Sequence, residues 1–250
     1  MNHPSDHPKV SVVIVVRNAV TTIENAIKSL LNQDYKNFEL VIIDGISTDG
    51  TLDIIEKYNA QIAYFSSEKD TGIYDAMNKS LRKCSGEYIY FLGADDELYS
   101  PNVLSAIFDV KRYNDNEVLY GDAYYICKKK LRFGKMNRYR VGKHNFNHQT
   151  VFYPKSVFNI YSYNTKYKIW ADYFLNIQLY FRSNFKFRYV NVIISKFNDM
   201  GTSGVNNIDF DFEDDREKII KEVFPIDVYI FCKARNVFLY IQKFFKSLFR

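Results

Sequence analysis

The segment VSVVIVV, Val10–Val16, is an unbroken β-branched apolar run, the pattern of a strand buried on both faces. Over residues 21–31 the apolar positions change to helical spacing, at Ile23, Ala26, Ile27, Leu30 and Leu31. The cycle then repeats. FELVIID predicts a second strand, and STDGTLDIIEKY supplies a Thr or Asp cap before a helix with Leu52, Ile55 and Tyr58 on one side. A third short strand follows at 62–65, TGIYDAMNKSLRKC reads as a helix from about Gly72, and EYIYFLG is a fourth strand. Beyond Pro101 a helix is predicted to about Tyr113, then a strand in VLYGDAYYI and a basic, loop-rich stretch to about Gly142.

Strands that alternate with helices predict an α/β fold with a mostly parallel sheet flanked by helices. In such sheets ligands bind beyond the carboxyl ends of the strands. Three pairs occupy those ends, Arg17 with Asn18, Asp44 with Gly45, and Asp95 with Asp96, so one crevice should collect them. Adjacent carboxylates repel unless water, a cation or hydrogen-bond donors face them. A solvated turn or a helix cap ahead of Pro101 would account for Asp95 and Asp96. So would a hard divalent cation, Mg²⁺ or Mn²⁺, neutralising a diphosphate.

Composition narrows the class. With 250 residues, 47% of them hydrophobic, and 21 Tyr and 21 Phe, the chain can bury a real core and is not a disordered polar tract. Cys84, Cys127 and Cys232 are odd in number and widely spaced, which indicates neither a disulfide framework nor a zinc site. The opening MNHPSDHPKV has no signal-peptide core, and no apolar run reaches the ~18 residues of a spanning helix, so a cytoplasmic location is expected.

The net charge of +5 is unevenly placed. Residues 123–170 contain no Asp or Glu but hold Lys128, Lys129, Lys130, Arg132, Lys135, Arg138, Arg140, Lys143, Lys155, Lys166 and Lys168. A solvated basic face, ligand phosphates, acidic headgroups or nucleic acid would each suit it. After Asp227 there is again no acid, and Phe238, Ile241, Phe245 and Leu248 share one helical face while Gln242, Lys246 and Arg250 share another. That basic amphipathic helix either packs on the protein's own core or lies on an anionic inner leaflet of the plasma membrane.

At the aspartate pair the chain resembles the family 2 glycosyltransferases of the GT-A fold. VSVVIVVRNAVTTIENAIKSLLNQDY is similar to their first strand and helix, VIIDGISTDGT to their second-strand motif, GIYDAMNKSL to their third helix and YFLGADDELY to their acidic motif. The four motifs come in the family's order over residues 9–100, and GIYDAMNK resembles a branch that builds bacterial surface polysaccharide. HQTVFYPKSVF, KIWADYFLNIQL and ISKFNDMGTSGV are weaker echoes.

The resemblance implies a GT-A, Rossmann-like domain with a nucleotide-sugar half at 1–120, an acceptor half at 121–210 and a helical extension at 211–250. It implies inverting transfer of a sugar from a nucleoside diphosphate sugar, a UDP-hexose or UDP-N-acetylhexosamine, to a hydroxyl of a glycan or lipid-linked oligosaccharide, with Mg²⁺ or Mn²⁺. Val15 and Arg17 would line nucleobase and ribose, and Asp44 would accept the uracil N–H unless it simply closes a turn before Gly45. Gly72 and Asp75 would face the donor, with Lys79 a turn further on. Of Asp95 and Asp96, one would bind the metal and the other the ribose; Gly93 stands where the family commonly has another acid.

The base that takes the acceptor's proton is expected at Asp172, which otherwise is a first-turn acid favoured by a helix dipole. His144 and His148, with no Glu between them, make a poor zinc pair; His148 with Gln149 would either line the donor or acceptor pocket or be a satisfied structural histidine. Nucleotidyl transfer is disfavoured, since RNAVTT is not a Gly-rich phosphate loop. A non-catalytic sugar-nucleotide or polysaccharide-binding module is the main alternative. Nucleic-acid binding gives the acidic crevice no role, so no nucleic-acid partner is expected.

Overall fold

The computed structural model describes residues 7–132, 134–201 and 208–248, with side chains described to Phe238 and at Gln242. The predicted faces of Ile241, Phe245, Leu248, Lys246 and Arg250, and residues 202–205 of the ISKFNDMGTSGV echo, lie outside the described parts.

Strand β1 (Val10–Val16) sits between β2 (Phe38–Asp44) and β4 (Tyr88–Phe91), parallel to both, and β3 (Ile62–Ser67) adds parallel to β2. Both faces of β1 are buried, as its apolar run requires. Val13 joins Val41, Ile43, Ile89 and Phe91 on one face, while Val12, Ile14 and Val16 join Leu40, Ile42, Tyr90 and Leu92 on the other. Alternate side chains of a strand point to opposite faces, so one continuous run supplies two cores.

Helix α1 (Ile23–Leu31) covers the second face through Ile23, Ala26, Ile27 and Leu30, which are all buried. The second helix, α2 (Thr51–Glu56), is shorter than its pattern suggested, and Tyr58 lies beyond it. Its Leu52 and Tyr58 are partly buried against the same core as the fully packed Ile55. Helix α3 (Ile73–Leu81) covers the first face with Tyr74, Ala76 and Met77.

The parallel order ends at β4. Strand β5 (Glu97–Leu98) is followed by α4 (Val103–Phe108), β6 (Glu117–Tyr125), the short β7 (Lys130–Arg132) and α5 (Arg138–Val141). Then come β8 (Val151–Pro154), α6 (Ala171–Arg182) and β9 (Lys186–Phe197). The strand order is β3-β2-β1-β4-β8-β6-β9-β5, with β7 on β6. Here β8 is antiparallel to β4 and β6, β9 is parallel to β6, and β5 is antiparallel to β9. The sheet is therefore mixed in its second half, and the expected boundary at 120/121 falls inside β6. Helices α7 (Phe210–Val223) and α8 (Ile226–Leu248) follow. Asp209 caps α7 and also accepts the Ile169 and Trp170 N–H groups at 2.7 and 3.1 Å, so one carboxylate ties the start of α7 to the start of α6.

Candidate active site

The ends of β1 and β4 and the first turns of α3 enclose a crevice of about 330 Å³. Val15 and Arg17 line it from β1, Gly93, Asp95 and Asp96 from β4, and His148 and Gln149 from the turn before β8. Gly93 has no room for a side chain: a Cβ there would lie 2.4 Å from Asp96 Oδ2 and 2.8 Å from Gln149 Nε2. The acid that commonly precedes the pair is thus replaced by space into which Asp96 folds.

Asn198, which follows β9, lies against both aspartates. Its N–H donates to Asp96 Oδ1 at 2.6 Å and its amide to Asp95 Oδ2 at 3.0 Å. Only 2% of Asp96 is exposed, and burial followed by the Asp95 charge pushes its pKa up to about 7. Asn198 and His148 oppose that rise without cancelling it. Two adjacent hard oxygen donors whose repulsion is relieved only in part are a set that a divalent cation would fit. Among the described residues no cluster of three His, Cys, Asp or Glu side chains is poised for a metal, so a cation here would complete its shell from water and phosphate.

Asp44, Gly72, Asp75 and Lys79 do not line this crevice. Asp44 is fully buried and accepts from the Ser47 N–H at 2.9 Å, the Ser47 hydroxyl at 2.5 Å and the Ser67 hydroxyl at 2.6 Å. These bonds close the turn after β2, in which Ile46 is held at φ 58°. Gly72 caps α3 at φ 136°, a conformation that suits glycine. Asp75 accepts the Thr71 N–H at 2.9 Å and pairs with Lys79 at 3.5 Å, and Lys79 also donates to the Lys69 carbonyl at 2.7 Å.

A second cavity, about 370 Å³, adjoins the first and shares His148, Ile169 and Phe197 with it. Asp172, in the first turn of α6, lines this chamber and is 5% exposed. Its Oδ1 accepts from the Tyr173 N–H at 2.7 Å and lies 3.1 Å from the Tyr74 hydroxyl, and its Oδ2 accepts from Asn145 Nδ2 at 2.7 Å. The same Oδ2 is 3.5 Å from His148 Nδ1.

His148 is oriented from its other side. The Gly93 N–H donates to Gln149 Oε1 at 2.7 Å, which turns the amide nitrogen toward His148 Nε2 at 2.8 Å. That nitrogen is then the acceptor, and the neutral ring carries its proton on Nδ1, facing Asp172. Burial lowers the His148 pKa, but Asp172 and, behind it, Asp96 and Asp95 outweigh burial and hold it above the ordinary value. Tyr74, Asn145 and Asn198 were not anticipated from sequence. Their only signal was proximity in the chain to GIYD, HQ and FND.

The sequence profile of "Glycosyl transferase family 2" matches residues 11–187. A Mycobacterium bovis protein named "PGL/p-HBAD biosynthesis glycosyltransferase" is 31% identical over 214 residues, 82% of each chain. The "Putative teichuronic acid biosynthesis glycosyltransferase TuaG" of Bacillus subtilis is 38% identical over 93 residues, covering 36% of this chain and 37% of that one. Among solved structures, S. aureus TarS 1-349 superposes with a TM-score of 0.66 at 21% identity, covering 86% of this chain and 65% of TarS 1-349. Its complex with UDP gives 0.63, over 76% of this chain and 60% of that one, so the chain spans somewhat less than two thirds of these structures. The fold is that of the GT-A glycosyltransferases, and with a profile match over most of its length the chain belongs to glycosyl transferase family 2.

Proposed function

We propose that the protein is an inverting glycosyltransferase that moves a sugar from a UDP-sugar to a hydroxyl of a glycan or lipid-linked acceptor in bacterial surface-glycan synthesis. The observation that carries this reading is the meeting of two cavities at His148, with Asp95 and Asp96 on one side and Asp172 on the other. The crevice takes the nucleotide, with Val15 and Arg17 against base and ribose; an Arg plane stacks as well as it pairs. The chamber takes the acceptor. Neighbouring TarS structures are described as complexes with UDP and with UDP-GlcNAc, which supports a uridine donor. The names of the mycobacterial and Bacillus relatives support the surface-glycan setting.

In the reaction the acceptor oxygen bonds to the anomeric carbon as that carbon's bond to the β-phosphate oxygen breaks. The bonding pair leaves on UDP and the hydroxyl proton passes to Asp172. Tyr74, Asn145 and the Tyr173 N–H hold that carboxylate still, and His148 orients it from the crevice side. Mg²⁺ or Mn²⁺ held by Asp95 and Asp96 would supply charge neutralisation for the departing diphosphate.

Helix α8 exposes Ile226, Ile230 and Val237, spaced four and seven apart on one face, and carries no acid after Asp227. No helix among the described residues is long and apolar enough to cross a membrane. This face supports peripheral contact with an anionic membrane, which a liposome flotation assay of full-length and α8-truncated protein tests; equal flotation removes the idea.

Calorimetric titration with UDP, GDP, dTDP and CDP, each with Mn²⁺ and again with EDTA, tests the donor site. Selective, metal-dependent UDP binding that Asp95→Asn or Asp96→Asn abolishes is expected. Absence of nucleotide binding under every condition would sink the transferase reading, and binding with no metal dependence would remove the cation.

A further inference from the structure

The chamber that holds Asp172 opens, on the side away from the donor crevice, onto a further depression of about 510 Å³. The two share Arg132, Lys143 and His144, whereas the crevice shares none of these. These three side chains therefore stand at the outer end of the chamber, with the reacting end marked by His148 and Asp172.

That outer end is cationic and short of counter-charge. All three residues come from the stretch 123–170, which has no acid of its own. Asp199 pairs with Lys128 at 2.9 Å and Glu213 with Arg216 at 3.0 Å. Asp122, which accepts from the Gly134 N–H and from the Tyr189 hydroxyl at 2.6 Å, lines the depression as one carboxylate against Arg132, Arg140 and Lys143. Arg132 and Lys143 instead lie over the rings of Tyr125 and Phe231, at 5.1 and 5.4 Å, and no carboxylate among the described residues is within ion-pair distance of either.

His144 reports the resulting field. Burial lowers its pKa, and Lys143, Arg235, Arg140 and Arg132 lower it further. A pocket in which cations outnumber carboxylates favours an anion, and a guanidinium matches the paired oxygens of phosphate or carboxylate. The chamber wall also carries Trp170 and Tyr173, aromatic side chains of the kind against which a sugar ring packs.

We infer that the acceptor is an anionic glycan, whose phosphate or carboxylate is held by Arg132 and Lys143 while a neighbouring sugar presents its hydroxyl to Asp172. Calling this ligand the acceptor rests on the transferase reading; the anion site itself does not. It also gives the acid-free stretch a function that a merely solvated basic face would lack.

Trp170 is the only Trp in the chain and lines the chamber, so its emission is a local probe that needs no turnover. The full-length protein is titrated with glucose 6-phosphate, glucuronic acid, glucose and inorganic phosphate. At least one sugar anion is expected to give a saturable change at concentrations where glucose gives none, and the stronger of the two identifies the anionic group. The double variant Arg132→Gln/Lys143→Gln should weaken that response at least tenfold while its calorimetric affinity for UDP stays at the wild-type value. A response to glucose equal to that of both sugar anions, an unchanged affinity in the double variant, or an equal response to inorganic phosphate would each overturn the inference. Wild-type protein that responds to sugar anions but binds no UDP would instead overturn the transferase reading and strip the site of its role for an acceptor.

Discussion

His148 Nδ1 lies 3.5 Å from Asp172 Oδ2, and the imidazole, held on its other side by Gln149, joins the crevice of Asp95 and Asp96 to the chamber of Asp172. On the proposed reading His148 is a positioning residue. Its second proton would place an Nε2–H against the Gln149 amide N–H, so the arrangement works with the neutral ring. Wild-type turnover should fall as the pH drops through and below a value above 6.5, where the raised His148 pKa lies. His148→Gln should lower kcat, leave the donor KM unchanged and alter that acid limb, leaving the part that Asp96, with its pKa at about 7, contributes. A pH–rate profile identical to wild type would exclude the positioning role.

Gly93 sets the shape of the acidic end. A Cβ there would sit 2.4 Å from Asp96 Oδ2, and Asp96 cannot retreat without losing the Asn198 N–H. Gly93→Ala should cost about 1–3 kcal/mol of stability, as overpacking does, and abolish metal-dependent UDP binding. Chemical denaturation and calorimetry on the same preparation read both effects.

Ile46 is a β-branched residue held at φ 58° by the bonds that Ser47 makes to Asp44. Such residues are strained there. It is 50% exposed, so removing its side chain forfeits little packing. Ile46→Gly should therefore raise the unfolding free energy by about 1 kcal/mol. A loss of stability in urea titration would show that the turn is not strained.

Glu39 is buried beneath the sheet's amino-terminal edge, where its carboxylate takes bonds from Lys9, Ser11 and Ser85. Burial alone would raise its pKa, but those donors outweigh it and bring it to about 2, against 4.5 for a free group. A depressed carboxylate stabilises the fold above its unfolded pKa and loses that contribution as the pH falls toward the folded value. Stability should accordingly decline between pH 4.5 and 2, and Glu39→Gln should flatten the decline. Urea midpoints measured across that range for both proteins decide it.

The legible part of the fold was the half whose strands are buried on both faces. In β1, β2 and β4 an unbroken apolar run has one meaning once flanked by caps and helical spacing. Strand β9 was not anticipated: its burial alternates only over its first residues, and its register to β6 shifts around Asp122. Strand β8 is four residues between two 3-10 turns. Neither carries a period long enough to read.

The same divide runs through the site. Asp95, Asp96 and Asp172 stand out in sequence because carboxylates follow or open recognisable elements. Asn198 reaches Asp95 and Asp96 only because Glu97 pairs with Lys196, about a hundred positions away in the chain. The surroundings of Asp44 were equally invisible, since Ser47 and Ser67 occupy its oxygens through a turn and a neighbouring strand.

The central claim is that Asp172 accepts the proton of the attacking hydroxyl where the chamber meets the crevice that takes the nucleotide. Transfer of labelled sugar from UDP-sugars to glycans and glycolipids extracted from bacterial envelopes tests it, comparing wild type with Asp172→Asn. The account predicts label incorporation by the wild type and a loss of about 100- to 10,000-fold in the variant, with UDP affinity retained. Incorporation by Asp172→Asn at the wild-type rate would contradict it.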